Sequence, residues 1–306
     1  MQRILEPGQI ESLSSRSVPR LRLPDRTTLF AARAARLRTL AAHSPIAGYL
    51  ELMATLAAAQ HAAVQSFEPR VPDAARLATA RTHGMPVAQA AGATPAPGWQ
   101  AVLAALTVAA LAGSGFPPAV AAAVRRLKAR SPAELDADAS ALLSGGGAGL
   151  DVASAPFVMA ALQVAWVALA SRLAPVDVGA PAALGVCPVC GTQPVASIVR
   201  STAPYAGFRY LHCGLCATEW HRVRVECSAC GDTRRVAYHS IAGGSTAIRA
   251  EACETCHAYR KIFYQEHEPA VEALADDLAS MALDLLLTEA GFERASGNPL
   301  MFAREA

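Results

Sequence analysis

The eight cysteines of this 306-residue chain all fall in four CxxC pairs: CPVC at 187–190, CGLC at 213–216, CSAC at 227–230 and CETC at 253–256. Two sulfurs on one tight turn can hold a metal ion, exchange electrons as a dithiol, or be oxidised into a staple for a small fold. The frame is doubled. A shift of 40 residues lays Cys187 on Cys227, Cys190 on Cys230, Gly191 on Gly231, Arg209 on Arg249, Cys213 on Cys253 and Cys216 on Cys256. That register favours two tetrathiolate metal sites, Cys187, Cys190, Cys213 and Cys216 in one, Cys227, Cys230, Cys253 and Cys256 in the other. A cross-brace joining the first and third pairs is the alternative grouping. Tetrahedral sulfur suits zinc and iron alike, so the spacing does not choose the metal. Neither unit has the residues for a core of its own, and an ion would supply about 10 to 16 kcal/mol of folding energy by analogy with zinc-finger peptides.

For two such turns to meet, the chain between them must fold back, and the sequence there has the character of strands. GFRYLHC, TEWHRVRVEC, RRVAYHSI and HAYRKIFYQ alternate bulky or β-branched residues with polar ones. Two four-cysteine β modules are predicted, residues 187–226 and 227–266. His212 and His257 adjoin cysteines, but each site already has four sulfurs, so the histidines read as solvent-facing or as supports beside the ligands. His221 reads as facing solvent from its strand. The pairs Arg125 and Arg126, and Arg234 and Arg235, read as solvated faces.

Upstream the chain is Ala-rich and helical. Residues 1 to about 25 carry Pro7, Pro19 and Pro24 and read as an irregular arm. Thr28 is placed to cap a helix over LFAARAARLRTLAAH, with Leu29, Ala32, Arg36 and Leu40 combining an apolar stripe and an Arg face. A second helix should start near Pro45, with Leu50, Met53, Leu56 and Ala57 at helical spacing. Residues 66–98 read as a long connection holding one short helix. Helices follow over Trp99 to Ala112, from Pro118 to the basic run RRLKAR, and at SPAEL, where Ser131 and Glu134 match a capping box. GGG at 145–147 is a hinge or turn. The uncharged stretch 152–171 is long enough to span a bilayer, yet its Ala-rich make-up, Pro156 and Gln163 point to a buried core helix. PVDVGAPAALG at 175–185 reads as a linker, so residues 1–180 form an all-α domain. In the C-terminal segment, 267–306, Pro269 should open a final helix with Val271, Leu274, Leu278, Met281 and Leu285 on one face and Asp276, Asp277 and Asp284 elsewhere. The predicted class is α+β.

The composition, 53% apolar with a net charge of +2, suits a packed core and leaves no whole-protein footprint of a nucleic-acid binder. Aromatics do interleave with Arg209, Arg222, Arg224, Arg234 and Arg235, as in a zinc-ribbon nucleic-acid binder. However, residues 187–266 hold 9 basic side chains against 6 acidic ones, low for a phosphate-tracking surface. Residues 267–306, with 2 basic and 8 acidic side chains, form an acidic tail. The opening MQRILEPGQIESLSSRSVPR lacks the apolar stretch of a signal peptide, which makes the cytoplasm the expected address and reduced thiols the expected state. No Ser, His and Asp order, phosphate loop or HExxH argues for a hydrolase or nucleotide enzyme.

The strings CPVCGTQPVASIV, GFRYLHCGLCATEWHRVRVECSACGD and EACETCHAYRKIFYQE, running into PAVEALADDLASMALDLLLTEAGFERASGNPLMF, resemble the formate dehydrogenase accessory protein family. LFAARAARLRTLAAHSPIAGYLELMATLAAAQ extends the likeness to the N-terminal half, so it covers nearly the whole chain. The resemblance implies a cytoplasmic, non-catalytic factor required to produce active respiratory formate dehydrogenase, a molybdenum and iron–sulfur enzyme whose catalytic subunit it binds. It also implies rubredoxin-like C-terminal modules that bind iron, and so assigns the eight cysteines as ligands, with iron favoured over zinc. An electron-transfer or redox-sensing protein is the runner-up, its function being the ferric and ferrous states of the centre. Oligomeric state is not fixed at this level.

Overall fold

The computed structural model describes residues 18–113, 115–146, 151–181, 183 and 185–302. Helix α1 (Leu29–Ala41) forms without the predicted Thr28 cap: Thr28 Oγ1 donates to Asp25 Oδ2 at 3.0 Å, and the Asp25 carbonyl accepts the Leu29 N–H at 3.0 Å. The buried face is Phe30, Arg33, Ala34, Leu37 and Ala41, displaced from the predicted stripe. Apolar periodicity passes over this face because Arg33 lies on it, its charge met by Glu272 at 3.0 Å from the far end of the chain.

Helix α2 (Ala47–Ser66) starts just beyond Pro45 and buries Leu50, Met53, Leu56 and Ala57, as predicted. The long connection does hold one short helix, α3 (Ala74–His83). Helices α4 (Trp99–Ala112), α5 (Pro118–Ala129) and α6 (Pro132–Leu143) fall where their caps and breakers put them. At the last, the Ser131 N–H donates to the Glu134 carboxylate at 2.7 Å and the Glu134 N–H to the Ser131 hydroxyl at 3.3 Å, completing the capping box. Helix α7 (Ala155–Ala170) is the uncharged stretch, and every residue from Ala155 to Ala165 is buried as it packs on α2 and α4. Among the described residues no helix is long and apolar enough to cross a membrane. The GGG stretch is described only at Gly145, in a turn, and Gly146; Gly147 lies outside the described residues.

The C-terminal region is a single sheet. Strands β2 (Pro194–Val199), β3 (Arg209–Cys213) and β4 (Glu219–His221) form one antiparallel meander, and β5 (Val236–His239), β6 (Ile248–Cys253) and β7 (Ala258–Tyr264) form the second. Parallel pairing of β2 with β7 joins them in the order β4-β3-β2-β7-β6-β5. A register shift between Pro194 and Ala196 interrupts β2 and is absent from β5, so the doubled frame is not copied residue for residue. The N-terminal arm is not wholly irregular. Its Leu21 and Arg22 form β1, which pairs with Trp220 and Glu219 of β4 and covers that edge; residues 1–17 lie outside the described region.

The C-terminal helix differs from its prediction. It starts at Ala273 rather than Pro269 because the Glu272 carboxylate accepts the N–H groups of Leu274 and Ala275, at 3.1 and 2.8 Å. It also breaks at Ser280 into α8 (Ala273–Ala279) and α9 (Met281–Glu289), where the Lys261 ammonium donates to the carbonyls of Asp277 and Ser280 at 2.8 and 3.1 Å. Leu285 is 66% exposed, and α9 buries Leu283 and Leu287 instead. Asp276 and Asp277 are fully buried. Arg36 of α1 grips Asp276 at 2.7 Å, while Lys261, at 3.4 Å, and Arg294 face Asp277. Three acidic residues of the tail, Glu272, Asp276 and Asp277, are therefore consumed inside the protein and tie the helical layer to the sheet.

Candidate metal centres

Three of the four CxxC pairs sit on a tight turn closed by the same backbone bond. The N–H of the residue after the second cysteine returns to the carbonyl of the first: Gly191 to Cys187 at 2.9 Å, Ala217 to Cys213 at 3.1 Å, Gly231 to Cys227 at 2.9 Å. That following residue is left-handed in all four turns, with φ of 76° at Gly191, 57° at Ala217, 79° at Gly231 and 56° at His257. Within two of the turns successive N–H groups also reach sulfur. Leu215 and Cys216 donate to Cys213 Sγ at 3.4 Å each, and Ala229 and Cys230 donate to Cys227 Sγ at 3.4 and 3.5 Å.

The strands bring the turns together in fours. Cys187, Cys190, Cys213 and Cys216 form one cluster and Cys227, Cys230, Cys253 and Cys256 the other, with all sulfurs of each cluster within 4.8 Å of one another. The grouping is the local one, not the cross-brace. Sγ separations are 3.5 Å for Cys187 and Cys216, 3.3 Å for Cys190 and Cys213, and 3.7 Å both for Cys227 with Cys256 and for Cys230 with Cys253. These exceed a disulfide bond of about 2.05 Å and approach the ~3.8 Å edge of a tetrahedron of sulfurs placed ~2.3 Å from a central ion. Four thiols so held fit a tetrahedral ion. The pKa of the first cysteine of the second pair is lowered in both clusters. Burial works to raise Cys213, but its contacts with Cys187, Cys190, Cys216 and Thr192 bring it well below the ordinary range. Burial likewise opposes Cys253, and the N–H groups of Cys256 and Thr255 bring it down to about 7.

The two clusters differ in their surroundings. All four cysteines of the first are buried, whereas Cys230 and Cys256 of the second are exposed. The first is sealed by the segment between α3 and α4: Val87, Ala88 and Ala90 donate N–H groups to the carbonyls of Pro188, Val189 and Cys190 at 3.1, 2.8 and 2.9 Å. From below, Gln163 of α7 donates to the Gly214 carbonyl, inside the second CxxC turn, at 2.7 Å. A Cβ at Gly214 would come within 2.9 Å of Pro299, so that turn leaves no room for a larger residue. Hydroxyls reach the sulfurs here too: Thr192 Oγ1 lies 3.1 Å from Cys190 Sγ and 3.2 Å from Cys213 Sγ, and Thr218 Oγ1 lies 3.1 Å from Cys216 Sγ. In the repeat Asp232 and Ala258 take these places. The sealing segment and Gln163 escaped sequence reasoning, because neither carries metal-binding chemistry.

The neighbouring histidines have definite places. His212 is buried with Nδ1 3.0 Å from Glu219 Oε1, supporting the strand behind the first cluster. His257 is exposed and supplies the left-handed position of the last turn. His221, expected to face solvent, is half-buried, its ring edge-on to Phe208 and Tyr210 at 5.7 and 5.8 Å. Arg125, Arg126, Arg234 and Arg235 are exposed as expected.

A helical region docked on tandem four-cysteine meanders defines a class of protein with two thiolate cages, each of which could hold a metal ion. The descriptions FdhE, N-terminal, FdhE, central domain, and FdhE, C-terminal domain match residues 18–181, 186–224 and 225–301. The Protein FdhE homolog of Klebsiella pneumoniae is 39% identical over 303 residues, covering 98% of this chain and 96% of that protein. That of Cronobacter sakazakii is 40% identical over 310 residues, covering 99% and 98%. The crystal structure of the FdhE protein from Pseudomonas aeruginosa superposes with a TM-score of 0.80 at 40% identity, over 92% of this chain and 99% of that one. The chain belongs to the FdhE family.

Proposed function

We propose that the chain is a cytoplasmic accessory factor for the maturation of formate dehydrogenase that binds the enzyme's catalytic subunit and performs no turnover of its own. The eight cysteines are its metal ligands, four to an ion, with iron favoured and zinc the other metal the sulfur set suits. On this reading residues 1–180 offer the client-binding surface, residues 187–226 and 227–266 are the two metal modules, and residues 267–306 bind the parts together. The observation that carries it is the pair of four-sulfur cages in a chain that matches proteins named FdhE over 98% of its length. Capture tests it: tagged protein should retain a formate dehydrogenase catalytic subunit, and a folded, metal-loaded preparation that never does so refutes the client.

A second reading takes its support from the open cluster. Exposed Cys230 and Cys256 would let electrons pass between an iron ion and a partner, as in a rubredoxin-like carrier or redox sensor. A reversible midpoint potential confined to the second module is its signature.

A further inference from the structure

The two meanders lie side by side in the same sense, so each module has a leading and a trailing edge. Three of these four edges are filled. In the first module β7 lies parallel on β2, from Ser197 opposite Ile262 to Val199 opposite Tyr264, and β1 covers β4. In the second module β2 and β8 (Glu293–Arg294) share the outer edge of β7. Among the described residues, β5 has no strand on its outer side.

The free groups of that edge can be named. The Glu254 N–H donates to the Arg235 carbonyl at 2.9 Å, in register with Val236 opposite Cys253 and Ala237 opposite Ala252. Alternate residues of an antiparallel strand exchange both bonds with one neighbour, so Ala237 and the Arg235 carbonyl turn to β6, the Arg235 N–H going to Asp232 Oδ1 at 2.9 Å, while Val236 and Tyr238 turn N–H and C=O outward. In the first module the outward side of β2 is used: the Val199 carbonyl accepts from Gln265 N–H at 3.1 Å, on the β7 side. The margin of β5 is apolar and cationic. Tyr238, Ile241 and Val225 are 37, 39 and 44% exposed. Exposed Arg235 is matched by Glu254 at 3.2 Å, whereas the side chains of exposed Arg224 and Arg234 form no ion pair among the described residues, Asp232 accepting only the Arg234 N–H, at 2.7 Å.

We propose that the β5 edge is a docking site for an extended, acidic segment of a partner polypeptide, which adds to Val236 and Tyr238 as a parallel strand in the way β7 adds to β2. Main-chain bonds would give affinity, and Arg224 and Arg234 would select acidic side chains. A second copy of this chain is the poorer occupant. Its β4, the edge that would repeat the head-to-tail geometry, is already covered by β1, and pairing β5 with itself would crowd the cations of both copies. Val236 stands opposite Cys253, so the docked strand would begin beside the exposed second cluster. The edge is open whichever protein is the client, so failure of the capture experiment would leave the docking site standing.

The test uses the full-length, metal-loaded protein and capped synthetic peptides that alternate valine with glutamate or valine with lysine. Amide hydrogen exchange is followed residue by residue. The glutamate peptide should slow exchange at Val236 and Tyr238 by at least about tenfold, leave Ala237 unchanged, and outdo the lysine peptide. Tyr238→Pro removes an outward donor that β6 does not use and should abolish the protection. Should that variant misfold, Arg224→Glu with Arg234→Glu is the second test and should reverse the preference between peptides. The site is overturned if neither peptide protects these amides, if both do so equally, or if the chain alone is a dimer in which they are already protected.

Discussion

Arg209 of the first module donates to Glu251 of the second across 2.6 Å, and both side chains are buried. Arg209 also donates to Ser197 Oγ at 3.2 Å and to the carbonyls of Val223 and Glu226 at 3.0 Å each. Its repeat mate Arg249 instead stacks over Tyr264 at 5.3 Å from the ring centroid. The duplication thus diverged to make a bolt between modules. Removing one buried partner strands the other charge, so Arg209→Ala should cost about 3–5 kcal/mol in urea unfolding. Arg209→Met combined with Glu251→Leu should recover most of that loss, and an equal loss in the double variant would contradict the bolt.

The sealed and open clusters should release metal at different rates. Under a chelator, one equivalent should leave quickly from the cluster with exposed Cys230 and Cys256, and one slowly from the buried cluster. Cys253→Ser should remove the fast phase and Cys190→Ser the slow one. A single phase in the parent protein would show that the covering segment at Val87 to Ala90 does not protect the first site.

Two of the four turns place a residue with a β-carbon in the left-handed region, Ala217 at φ 57° and His257 at φ 56°. The equivalent positions in the other two turns are Gly191 and Gly231. Left-handed backbone costs an L-residue about 1–2 kcal/mol, and glycine gives back part of that gain through its greater freedom when unfolded. Ala217→Gly and His257→Gly should each raise stability of the metal-loaded protein by about 0.5–1 kcal/mol, read from thermal unfolding.

Adjacent aspartates on α8 should respond to acid in opposite ways. Burial works to raise Asp277, but Lys261 and Arg294 outweigh it and hold the carboxyl below its usual 3.8. A depressed folded value gives stabilisation that is present above pH 3.8 and lost as pH falls toward the folded value. For Asp276 burial prevails over Arg36, and the value is raised. Asp277→Asn should therefore lower stability at neutral pH and make the acid limb of the stability profile shallower. Asp276→Asn should leave that limb at least as steep, as urea unfolding from neutral pH down to about pH 2.5 will show.

The parts of the fold written in local chemistry were legible. Ser131 with Glu134, Pro118, and the helix from Trp99 to Ala112 each announce a boundary within a few residues. The cysteine frame also discloses the local grouping. What escaped depends on the rest of the molecule. PVASIV, residues 194–199, is buried at every position and so lacks the alternation that marks a half-exposed strand, and IRAEAC was passed over as well. Nothing local marks Asp276 and Asp277 for burial, because their partners Arg36 and Lys261 lie far off or in another element. The same holds for the cover over the first cluster, which consists of backbone bonds from a Pro- and Ala-rich connection.

The most direct test of the account is elemental analysis, together with the visible spectrum, of folded protein purified without air. It predicts two transition-metal ions per chain, falling to one in either Cys190→Ser or Cys253→Ser, with ferric charge-transfer bands on oxidation if the metal is iron. Folded protein that binds no transition metal and still retains its client would contradict it.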